Sequence, residues 1–155
     1  MAIAFELLGP TDKPALLALT HPELLAAGRS ALEALGYKVH AAAGHDDFIS
    51  RFSQIQYQIV LLEELFNASA AAENRTLAHL QSLPMNLRRH AVVILLGESF
   101  QTLQPMQAFR QSVQAVVGAG DLPSLSQIIQ KSVADNDLFL RLYREVQSQL
   151  AQGKL

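Results

Sequence analysis

Tyr57-Gln58-Ile59-Val60-Leu61-Leu62-Glu63 decides the fold. From Ile59 to Leu62 it is an unbroken aliphatic run with no polar alternation, as expected of a strand buried on both faces of a parallel sheet. Residues 91–96 and 15–19 read the same way, and 115–117 form a shorter apolar run. Residues 37–42 are weaker but carry enough Val and Tyr to form a strand beside them.

Helical patterns fill the gaps. Residues 22–35 place Leu24, Leu25, Gly28, Leu32 and Leu35 at three- and four-residue spacings, with Gly36 as the stop. Residues 46–56 align Phe48, Phe52 and Ile55, with Asp46 and Asp47 suited to the positive helix start. Residues 73–83 repeat Leu77, Leu80 and Leu83 before Pro84, and 102–113 offer Leu103, Met106, Phe109 and Val113. Residues 122–150 fit one long helix or two in sequence. Strand and helix thus alternate five times. This order predicts an α/β, doubly wound parallel sheet of five strands with helices on both faces and an extended C-terminal helix. Residues 1–13 stand outside the pattern, as an arm or an extra edge strand at 5–8.

The 155 residues suit one domain, and 50% hydrophobic content supplies an ample core. A net charge of −2 offers no field for nucleic acid or anionic lipid. Arg88-Arg89-His90 is short and isolated, and is expected to be a solvated turn. With no cysteine, disulfides and thiolate chemistry are excluded. No secretory pattern opens the chain and no apolar run reaches the roughly 20 residues that span a bilayer, so a cytoplasmic protein is expected.

Several stretches together resemble the receiver domains of bacterial two-component response regulators. They are Leu16-Leu17-Ala18-Leu19-Thr20-His21-Pro22, the step "LEALGYKV" at 32–39, the strand at 57–63, the strand at 91–96 and Asp121-Leu122-Pro123-Ser124-Leu125. The likeness covers 14–134 and leaves 135–155 as a helical extension. It implies a CheY-like, flavodoxin-like sheet in the order 2-1-3-4-5.

The resemblance also implies a site. Receivers hold magnesium on two acids after the first strand and accept phosphate on an aspartate ending the third. A Ser/Thr after the fourth strand and a lysine after the fifth hold the phosphoryl group. The aspartate is the nucleophile, and Mg²⁺ takes hard oxygen ligands. Here the acidic pair falls on Leu19 and Thr20, with His21 next, and the phosphoacceptor on Glu63, followed by Glu64. The Ser/Thr position falls on Gly97 and the lysine position on Gly118. No lysine lies between Lys38 and Lys131, and no aspartate between Asp47 and Asp121, so a shift of register restores nothing. The chain therefore resembles the degenerate receivers called pseudo-receivers. A non-phosphorylatable signalling or scaffold module that binds a protein partner is expected, with no cofactor, metal or enzymatic activity.

Glu63 admits two readings. It mimics the phosphorylated charge, or it bonds backbone N–H groups at a helix start; missing lysine and magnesium favour the second. His21 beside Glu63 or Glu64 could form an acid–base pair, but a polar rim over the core is the stronger expectation. Gly118-Ala119-Gly120 reads as a turn, and Ser99 lacks the flanking glycines of a nucleophile elbow. Asn74-Arg75-Thr76 is a formal glycosylation sequon without consequence in the cytoplasm, and 67–72 read as a small-residue loop. An enzyme finds no nucleophile beside a base; a small-ligand domain using the strand-end pocket is the alternative to the protein-binding module.

The extension carries Leu138, Phe139, Leu142, Tyr143, Val146 and Leu150 on roughly 25 Å of amphipathic helix. It either folds back over a helix layer or pairs with another chain. A symmetric homodimer through Phe139, Leu142, Tyr143, Val146 and Leu150 is expected.

Overall fold

The structure is a computed structural model and describes residues 8–153. The edge strand expected at 5–8 therefore lies, except for Leu8, outside the described residues. The elements are β1 (Lys13–Ala18), α1 (Pro22–Ala34), β2 (Tyr37–Ala41), α2 (His45–Gln54) and β3 (Ile59–Glu63). There follow α3 (Arg75–Ser82), α4 (Met85–Arg88), β4 (Val92–Gly97), α5 (Pro105–Gln111), β5 (Ala115–Gly118) and α6 (Leu125–Ala151). All strand pairs are parallel, in the order β2-β1-β3-β4-β5, as expected.

Alternate residues of each strand feed two cores. Leu16, Val60, Leu62 and Leu95 pack with Phe48, Phe52, Tyr57, Phe66 and Leu80 on one face. Leu17, Leu61, Ile94 and Val117 pack with Leu32, Ile128 and Ile129, from α1 and α6, on the other. Each such side chain stabilises the fold by about 1.5–3 kcal/mol on leaving water. Helix α1 sits close to the sheet because Gly28 faces it; a Cβ there would lie 3.2 Å from Leu19 and Leu61. Gly36 ends the helix turn with φ +86°, a conformation glycine adopts without penalty.

Three local expectations change. Helix α5 starts at Pro105 and not at residue 102, because the Gln104 side chain accepts the N–H groups of Met106 and Gln107. The 102–104 stretch joins the preceding loop instead. The turn α4 was not foreseen. And Arg88, expected in solvent, is buried: its guanidinium donates to the carbonyls of Leu80 (2.9 Å) and Ser112. Ser112 ends α5 in a left-handed conformation, φ 56°, so Arg88 caps a carbonyl that the helix leaves exposed. Burial of the alkyl stem and two carbonyl acceptors outweigh the desolvation that the isolated motif suggested.

The long C-terminal segment is one helix of 27 residues, and it runs through Asp135-Asn136-Asp137 without interruption. Its outer part passes the α4 region, where Leu140, Tyr143, Arg144 and Gln147 line a cavity with Gln56, Asn86, Arg89 and His90. Among the described residues no helix is long and apolar enough to cross a membrane.

Arg88→Ala should cost about 1–3 kcal/mol in urea unfolding, since it leaves buried carbonyls without their donor. A second expectation concerns pH. Burial holds His90 below its ordinary value, its ring is stacked 5.2 Å from Phe52, and its Nε2 is buried without a hydrogen bond among the described residues. His79 is lowered by burial too. Both groups take up protons more readily in the unfolded chain. Stability should therefore be full above the unfolded value, about 6.5, and decline as pH falls below it. Denaturant midpoints on either side of that pH, for the native chain and His90→Phe, measure the effect; the variant should lose part of the slope.

Candidate functional site

The carboxyl edge of the sheet gathers the residues that the sequence placed there. Glu63 ends β3 opposite Leu96, and Gly97 pairs with Gly118 across β4 and β5. Glu63 is a carboxylate only 4% exposed, so it needs partners. Its Oε1 accepts the backbone N–H groups of Thr20 (2.8 Å) and His21 (3.1 Å). Its Oε2 lies 2.9 Å from Nδ1 of His21, whose side chain is 69% exposed. His21 is the residue immediately before α1, so the carboxylate sits at the positive end of that helix. The helix-start reading of Glu63 is the observed one. Charge-assisted bonds to fixed amides are short and strong, and they lash β3 to the β1–α1 turn.

The flanking positions are filled as well. Leu19 is buried in the core with Leu17 and Leu61, pointing away from the edge. Thr20 Oγ1 accepts the N–H of Asn67, a residue with φ 44°. A Cβ on Gly97 would lie 2.6 Å from Glu64 Oε1 and 2.8 Å from Glu64 Cβ, so the Glu64 side chain lies across Gly97. A Cβ on Gly118 would lie 2.7 Å from the Phe100 carbonyl. Gly118 donates its N–H to Thr102 Oγ1 (2.9 Å), and the Thr102 hydroxyl donates in turn to Asp121. The loop before α5 is thereby tied down over the end of β5.

Two residues matter here that sequence reading passed over. Asn74 is almost fully buried: Nδ2 donates to the carbonyls of Glu63 and Glu64, both at 3.0 Å, and Oδ1 caps α3 at Leu77 N–H (3.1 Å). Read as a sequon, it is a helix cap; an Asn just before an apolar helical repeat was the available signal. His45 accepts the Thr76 N–H at Nδ1 (3.2 Å), which leaves Nε2–H to donate to the Asn67 carbonyl (3.3 Å). The small-residue loop at 67–72 is thus pinned at both ends.

Around these groups lies a cleft of about 450 Å³ lined by His21, Glu63, Glu64, Gly97, Ser99 and Leu122, among others. Glu23 and Glu98 stand at it too. The interface candidates are elsewhere. Phe139, Leu142, Tyr143, Val146 and Leu150 lie on the far half of α6, all exposed, and the Tyr143 hydroxyl accepts from Arg89 at 3.3 Å.

No protein-family model matches the sequence, and no curated protein matches it. Solved structures do. The receiver domain of a sensor histidine kinase from Pseudomonas aeruginosa, with magnesium coordinated in its active-site cleft, superposes with a TM-score of 0.61 at 16% identity. The match covers 80% of this chain and 99% of that one. The pseudo-receiver domain of the CikA protein is 20% identical over 79% of this chain and 97% of its own, with a TM-score of 0.50. A chain carrying a trimeric coiled coil from yeast matches 94% of this chain and 85% of its own, at 17% identity and a TM-score of 0.57. At these identities the likeness is one of fold. The domain is receiver-like.

Glu63→Ala removes the acceptor of two part-buried N–H groups and should cost about 1–2 kcal/mol. Glu63→Gln keeps one acceptor oxygen and should cost less, about 1 kcal/mol, through the lost charge at the helix start. Thermal or urea unfolding of the two variants tests the order; a Gln variant as unstable as the Ala variant would contradict it.

Proposed function

We propose that this chain is a receiver-like signalling module that accepts no phosphoryl group, is not an enzyme and acts by binding protein. The observation that carries the reading is the engagement of both Glu63 oxygens, one by two backbone amides and the other by His21. Phosphoryl transfer to a receiver needs a free carboxylate nucleophile, a magnesium ion on hard oxygens and a cation against the transferred group. The side chains here do not fit magnesium. Leu19 carries no oxygen and lies in the core, and Thr20 spends its hydroxyl on Asn67. The glycine at the lysine position has the Phe100 carbonyl where a side chain would begin. Among the described residues, no three His, Asp or Glu side chains converge to hold a metal ion.

The charge on Glu63 is answered by backbone dipoles, which cannot move away from it as a lysine side chain can. It therefore works as a fixed structural tie and not as an imitation of the phosphorylated state. The likeness in fold to a pseudo-receiver supports the same reading. The likeness of nearly the whole chain to one that carries a coiled coil supports a contact role for α6. A reducing cytoplasm is the compartment that suits a chain without cysteine.

Acetyl phosphate with Mg²⁺ should leave the intact mass unchanged. A gain of one phosphoryl group would refute the proposal.

A further inference from the structure

We infer that the exposed stripe of α6 is the seam of a symmetric dimer, occupied by the same stripe of a second copy of this chain. The inference rests on the reading of the chain as a protein-binding module, and names one partner. It begins with a spacing. Leu125, Ile129, Ser132, Asn136, Phe139, Tyr143, Val146 and Leu150 follow one another at alternating intervals of four and three residues. That is the a/d repeat of helices that pair along their length. The first three are buried against the domain's own sheet. Beyond Ser132 the same face continues past the edge of the two cores. From Leu138 to Leu150 six of the seven large apolar side chains are 41–66% exposed, and Leu140 is half-buried.

The stripe is free of charge. At 3.6 residues per turn, Phe139, Leu142, Tyr143, Val146 and Leu150 fall within an arc of about 100°. The charged residues of this stretch, Asp137, Arg141, Arg144 and Glu145, all fall outside it. Just before it, Asp135 is paired with Lys131 at 2.9 Å. A face with no charge at its centre offers nothing to select a charged partner and nothing to repel its own copy. Under a two-fold axis the identical patch serves both sides, which is the commonest geometry of soluble oligomers.

The area suffices. The five side chains of the arc are roughly half exposed and hold on the order of 500 Å² per protomer. Two such faces bury about 1,000 Å², the least that a specific interface requires. The domain does not need the stripe itself, since both of its cores close without any residue beyond Val133.

Light scattering or sedimentation on the intact chain tests the inference. At high micromolar concentration the mass should be twice that of the chain. Phe139→Asp and Val146→Asp should each halve it while leaving the circular dichroism and melting of the protomer in place, because both positions are exposed in the single chain. Phe109→Asp, on the exposed face of α5, should leave the dimer intact. A monomeric native chain, a trimer, a dimer that survives both α6 variants, or one broken by Phe109→Asp would each overturn the inference. None of these outcomes bears on acetyl phosphate reactivity, so the two readings fail separately.

Discussion

A buried carboxylate has to be answered, and the answer to Glu63 organises the functional edge of this domain. The amides of Thr20 and His21 can reach it only if the chain leaving β1 turns directly into α1 over the end of β3. One side chain thereby fixes the strand end, the turn and the direction of the first helix. In a receiver with its full acidic set, the same place concentrates negative charge that magnesium must neutralise. Here two backbone amides and His21 answer the Glu63 carboxylate, while Glu23, Glu64 and Glu98 stand at the same cleft.

Other groups at the edge follow from that settlement. Asn74 holds the carbonyls of Glu63 and Glu64 while it caps α3, so the strand end is gripped from both sides. His45, Thr76, Asn67 and Thr20 form a chain of hydrogen bonds that ties the loop after β3 to α2, α3 and the β1 turn. The glycines at 97 and 118 are not passive losses. Each admits a group, the Glu64 side chain in one case and the Phe100 carbonyl in the other, that a larger residue would displace.

The inner half of helix α6 is an ordinary core helix, and its outer half repeats the same apolar spacing beyond the edge of the two cores. Tyr143 marks the crossover: its ring lies 5.5 Å from the Arg89 guanidinium carbon and its hydroxyl also takes a bond from Gln147 (2.9 Å).

The alternation of aliphatic runs with helical repeats was enough by itself to place the five strands and the main helices, though it missed α4 and left one final helix or two open. Strand periodicity and helix periodicity are local properties, written in neighbouring residues. That Leu19 brings no carboxylate and Gly118 no ammonium to its position was equally legible, because the residue type alone decides it. Contacts between distant segments were not legible. Arg88 looked solvated because its carbonyl partners, Leu80 and Ser112, lie 8 and 24 residues away. Asn74 looked like a sequon because its work is done on β3. Only the tertiary structure decided that Glu63 spends its charge on the amides just before α1, 42 and 43 residues earlier, since a hydrogen bond across that separation depends on where the sheet brings the two ends together.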